Sequence, residues 1–152
     1  MIEVEIECAE PGWSEALPNV EALARTAVVE ALGDAGFDPP VEGAVTLLLA
    51  DDAALQDLNA RFRQKDKPTN VLSFPAHPSA APHLGDLALA FGVCVAEAKE
   101  QQKPLAHHLQ HLCVHGALHL IGFDHEDEAE AEEMEALERL ILARLNVPDP
   151  YA

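Results

Sequence analysis

The sequence predicts an α/β (α+β) fold: a small four-stranded sheet packed with about five helices, in one domain spanning residues 1–152. Three observations carry this. Four short runs of apolar and β-branched residues read as strands. Between and after them lie stretches whose apolar residues recur at steps of three and four, the helical period. The length suits one domain, and a hydrophobic content of 49% is enough for a core. Strands mixed with helices are most simply arranged as a sheet covered on one or both faces.

Each element has its own reason. Residues 2–7 alternate apolar and acidic side chains, as in a strand with one face in solvent. Pro11, Gly12 and Pro18 punctuate an expected loop. From Val20, the positions Leu23, Ala24, Ala27, Val28, Ala31 and Leu32 give an amphipathic helix, ended by Gly33, Gly36, Pro39 and Pro40. Val45–Ala50 is almost wholly apolar and reads as a buried strand. Asp51 or Asp52 can cap the next helix, which is expected to turn Leu55, Leu58 and Phe62 inward. Thr69–Phe74 forms a third strand, stopped by Pro75. The stretch 76–84, with Pro78, Pro82, His77 and His83, looks like a surface loop. Asp86–Phe91 is the fourth strand, and a helix follows over about Val93–Gln101. Pro104 can open the next helix, which runs to about Ile121. The last helix, about Glu126–Leu145, buries Met134, Leu137, Ile141 and Leu145.

Composition narrows the function. No run of about 18 apolar residues exists, so no membrane partner is expected. The acidic N-terminus lacks the basic start and apolar run of a signal peptide. Cys8, Cys94 and Cys113 are scattered and odd in number, which points to buried thiols in a reducing cytoplasm. The net charge of −18 taken alone argues against nucleic acid. Its distribution differs: of nine Lys and Arg residues, Arg61, Arg63, Lys65 and Lys67 fall within seven positions, while nine of the 27 acidic residues lie between Asp124 and Glu138. One basic patch on an acidic body can still guide a polyanion to one place.

The chemistry is concentrated at His115, His119 and His125. Residues four apart share a helix face, so His115 and His119 can point at one ion. Gly122 supplies the positive φ that ends a helix and can return His125 as a third ligand. Three imidazoles and an open position match a catalytic zinc-type site, whereas structural sites are usually closed by four ligands rich in Cys. Nickel, copper and other ions are also compatible with imidazole. The same H-x3-H-x5-H spacing occurs in a large group of zinc proteases, but there a Glu general base follows the first histidine. Here that residue is Gly116, which has no acid or base, so peptide hydrolysis is not expected. The basic turn offers a phosphate side instead, since the planar fork of Arg matches phosphate. His108 and His111 precede the first ligand by about two turns and one turn, and each could be a fourth ligand, a substrate contact or a surface residue. Asp124 could orient an imidazole or cap the last helix; Cys113 faces away into the core; Asp86 opens a strand.

These residues resemble a known family. The stretch His111–His125, the stretch Leu58–Pro75 and the shorter Leu84-Gly85-Asp86-Leu87 are similar to the three signatures of the YbeY family of bacterial endoribonucleases and rRNA-maturation factors. Their order and spacing agree over essentially the whole chain. The resemblance implies a sandwich with a small mixed sheet and a metal site at the end of a cleft. It implies one zinc ion on His115, His119 and His125, with water or substrate in the fourth position, and a functional arginine at Arg63. We expect Arg63 to act catalytically by neutralising developing phosphate charge, and Arg61, Lys65, Lys67 and His111 to contact substrate. The implied activity is hydrolysis of single-stranded RNA in 16S rRNA 3′-end maturation and ribosome quality control. The partners would be the 16S rRNA precursor and the small ribosomal subunit with its associated proteins, with no DNA. Phe123 stands where Tyr is common, and Asn70 where Asp is common. Two other readings stay open: a non-catalytic assembly factor with a structural metal, or a hydrolase of small phosphoesters.

Overall fold

The computed structural model of the protein describes residues 1–33 and 36–152. Its sheet has four strands, β1 (Ile2–Cys8), β2 (Gly43–Ala50), β3 (Val71–Pro75) and β4 (His83–Ala90), in the order β1-β2-β4-β3. The first two neighbouring pairs are parallel, and β3 runs antiparallel to β4 at the edge. The sheet is therefore mixed, as expected.

The helices are α1 (Pro11–Ala16), α2 (Val20–Gly33), α3 (Asp52–Arg63), α4 (Phe91–Glu100), α5 (Leu105–Leu120) and α6 (Glu128–Arg144), with a 3-10 turn at Pro78–Ala80. Among the described residues, six helices stand where about five were expected. The addition is α1, in the stretch expected to be a loop. The Glu10 carboxylate accepts the Gly12 N–H at 2.9 Å, and Pro11 sits at the first helical turn, where its missing N–H costs nothing. This turn drives Trp13 into the core, where its indole N–H donates to the Ala50 carbonyl at 3.0 Å.

Alternation along the strands divides the interior in two. Val45, Leu47, Leu49, Leu87 and Leu89 share the larger core with buried residues of α2, α5 and α6. Leu72, Ala88 and Ala90 form the smaller one with Leu55 of α3. β1 keeps Glu3, Glu5 and Glu7 in solvent, as its alternation requires. Phe62 departs from the expected inward position: it is 62% exposed and stands edge-on to Phe74 of the edge strand.

α5 is the central helix. Ten of its sixteen residues are buried, among them Leu109, Val114 and Leu118 without any exposure. Each such side chain contributes on the order of 1.5–3 kcal/mol, which makes α5 a rigid platform. Gly116 lies on its sheet side, where a Cβ would stand 2.9 Å from Leu87. The position next to the first histidine is thus a packing contact.

Candidate metal centre

α5 ends in a Schellman motif. The Gly122 N–H donates to His119 O and the Phe123 N–H to Leu118 O, both at 3.1 Å, and Gly122 takes φ +104. The chain reverses there and carries His125 back toward the helix. One nitrogen from each of His115, His119 and His125 then lies within 4.8 Å of the others. The Nε2 atoms of His115 and His119 are 3.1 Å apart. Two nitrogens on one zinc at the usual ~2.0–2.1 Å stand roughly 3–3.5 Å apart, so His115 and His119 have the spacing of two ligands on one ion, with His125 close by as a third.

The surroundings act on the rings one by one. Burial, and then the neighbouring His115 and His125, lowers the pKa of His119, while the Asp124 carboxylate and a backbone hydrogen bond with Phe123 act in the opposite sense. His115 turns its other nitrogen, Nδ1, to Glu138 Oε2 at 3.2 Å. Burial alone would raise the Glu138 carboxyl, but hydrogen bonds from His111, His115 and Tyr151 hold it at about 2. Glu138 is thus an ionised acceptor within the protein, and the sequence reading missed it.

Asp124 does not cap the last helix. Its carboxylate accepts the backbone N–H of His125 at 2.8 Å, and the α6 N-cap is Asp127, which accepts from Glu130 N. His111 is brought to Glu138 at 2.7 Å and does not line the triad's cavity. His108 is buried against Glu97 at 2.9 Å. Cys113 is fully buried and its thiol pushed up to about 12, as fits a core residue. Asp86 is exposed and pairs with His83 at 3.1 Å.

A cavity of about 490 Å³ opens over the three histidines. Arg63, Asn70, Ser73, Phe123 and Asp124 line it too. Arg63 donates from Nη2 to the Ser73 carbonyl and lies 5.6 Å from the Phe74 ring centre. Ser73 Oγ in turn donates to Gly116 O at 2.9 Å. These links tie the guanidinium through β3 to the helix that carries His115 and His119. The rest of the basic cluster is elsewhere: Arg61 pairs with Asp57 at 3.3 Å in solvent, and Lys65 and Lys67 lie in the exposed turn after α3. None of these three lines the cavity. Asn70 donates to both oxygens of Glu97, at 3.0 and 3.3 Å, a contact that an aspartate could not make without like-charge repulsion.

Fold and site together define an α/β protein with a three-histidine centre of the kind that binds a metal ion, beside an arginine suited to phosphate. The family model described as "Endoribonuclease YbeY" matches residues 9–146. A protein named Endoribonuclease YbeY from Paramagnetospirillum magneticum is 48% identical, over 99% of this chain and 96% of the relative. One of the same name from Jannaschia sp. is 48% identical over 99% of this chain and its own full length, and one from Chelativorans sp. is 57% identical over 76% of this chain and 74% of the relative. The solution structure of TM1509 from Thermotoga maritima superposes with a TM-score of 0.56 at 23% identity, over 96% of this chain and 92% of that one, and so shares the fold. The chain belongs to the YbeY endoribonuclease family.

Proposed function

We propose that this chain is a zinc-dependent endoribonuclease specific for single-stranded RNA, which matures the 3′ end of 16S rRNA and serves ribosome quality control. It would work as one domain over residues 1–152, in the cytoplasm, on the 16S rRNA precursor beside the small ribosomal subunit and its proteins. One observation carries the chemistry: His115, His119, His125 and Arg63 line one open cavity. Among the described residues no helix is long and apolar enough to cross a membrane.

His115, His119 and His125 would hold the zinc ion. The chemistry such an ion supplies is Lewis acidity toward water and a phosphoryl oxygen. The guanidinium of Arg63 has five N–H donors, of which the Ser73 carbonyl engages one group. Its remaining donors can meet phosphate oxygens and stabilise charge that grows on them during cleavage. Gly116 brings no carboxylate to the first histidine, which suits phosphodiester rather than peptide substrates. The rim is asymmetric, because a smaller cavity of about 280 Å³ beyond Gly122 and Phe123 is lined by Asp124, Glu130 and Glu133. These carboxylates repel a polyanion, so the RNA strand would enter from the Arg63 side.

The test is cleavage of a single-stranded RNA by stringently purified wild type, His119→Ala and Arg63→Ala. Each variant is expected to lose about 10²-fold or more of the rate, the scale of removing one preorganised charge stabiliser. Equal cleavage by all three would leave a contaminant as the source and return the protein to an assembly role.

A further inference from the structure

Packing alone does not explain Glu138. α6 turns Met134, Glu138, Ile141 and Leu142 to the interior, and Glu138 is 0% exposed among them. A carboxylate sealed from water is unfavourable unless hydrogen bonds replace the lost hydration. Here three groups do so. His111 Nε2 lies 2.7 Å and the Tyr151 hydroxyl 2.8 Å from Oε1, and His115 Nδ1 lies 3.2 Å from Oε2. Tyr151 comes from the C-terminal segment, 13 residues beyond Glu138, and its ring packs edge-on to His111.

With His111 and the Tyr151 hydroxyl both on Oε1, Oε2 is left to His115, which meets it through Nδ1 and donates to it. The proton is then fixed on the nitrogen that faces α6. Nε2, which faces His119 at 3.1 Å, keeps its lone pair. We infer that Glu138 is a positioning residue of the metal centre: it fixes His115 in the tautomer and ring orientation that offer Nε2 to a divalent cation, and Tyr151 clips the carboxylate in place. The inference rests on the reading of the three histidines as the metal site. Among the described residues, Glu138 is the carboxylate that touches one of these rings from the protein side. Carboxylates that hold metal-binding histidines in this way typically change metal affinity 10–100-fold when removed.

The experiment uses the full chain, stripped of metal and labelled with ¹⁵N-histidine. Long-range ¹H–¹⁵N spectra report which ring nitrogen of His115 carries the proton, before any metal is added. In the wild type it should be Nδ1; a proton on Nε2 overturns the inference with no variant needed. Zinc affinity is then measured by competition with a chelating dye. Glu138→Gln leaves one acceptor oxygen for three donors, so it should mix the His115 tautomers and weaken zinc binding about 10–100-fold. Tyr151→Phe keeps the buried charge and lies at the molecular edge, 39% exposed, so it should fold normally and weaken binding roughly threefold, the scale of one hydrogen bond. A folded Glu138→Gln with wild-type affinity and an unchanged tautomer means that Glu138 only packs, and overturns the inference. A wild type that binds no zinc overturns the metal reading itself, so the two failures are distinguishable.

Discussion

His108 and His115 lie two turns apart on one helix, and their partners give them different work. His115 faces the triad and is held from behind by Glu138. His108 is 3% exposed and meets the Glu97 carboxylate, which Asn70 also engages; Lys103 and His111 are the other charged or titratable groups near it. Burial lowers its pKa first, the Glu97 hydrogen bond opposes that, and Lys103 and His111 add to the lowering. His108 is therefore harder to protonate in the folded protein than in the unfolded chain, where a histidine titrates near ~6.5. Below that pH the unfolded state binds the extra proton, so stability is full above about 6.5 and falls as the pH drops. Urea unfolding at pH 7.5 and 5.5 should show this loss in the wild type and a smaller loss in His108→Gln. Parallel pH dependence in the two proteins would contradict the assignment. The sequence could not separate these histidines, because His108, His111, His115 and His119 share one helical stripe and their partners lie on α4, α6 and the loop after α5. Glu138 left only a faint signal. It falls four after Met134 and three before Ile141, a core position, but a run of nine acidic residues hides it.

At the scale of elements, the reversal after α5 was legible because its chemistry is local. Gly122 follows the last helical residues, takes φ +104 and has nothing within 4 Å of the Cβ it lacks. Gly122→Ala therefore has a backbone cost alone, about 1–2 kcal/mol for an L-residue held left-handed. Thermal unfolding should show that loss, and zinc should bind more weakly because this turn delivers His125. An alanine variant equal to the wild type in both would contradict the account. The strands and the long helices were legible for the same reason, since period and burial coincide along them. α1 was not. Pro11 and Gly12 read as turn punctuation, and the short helix forms there because the Glu10 cap is joined by the tertiary contact of Trp13 with the Ala50 carbonyl and Phe91. Phe62 was misplaced because the pattern of α3 does not say that the sheet stops at β3.

Across the whole molecule, charge and topology act together. The basic cluster was visible in the sequence, but its division was not: Arg63 lines the cavity and is tethered to Ser73 on the edge strand, while Arg61, Lys65 and Lys67 stay in solvent and do not line it. The net charge of −18 leaves the cavity as a small inviting region on a repelling body, with the acidic rim of α6 closing one side. Under the proposed function, such a surface would disfavour indiscriminate RNA binding and confine cutting to a strand that reaches Arg63 and the three histidines together. The most direct measurement of that claim is the rate of single-stranded RNA cleavage as zinc is added to the metal-stripped protein. The rate should rise from background, saturate at one equivalent per chain, and stay at background for His119→Ala. A rate that ignores zinc, or that His119→Ala matches, would contradict it.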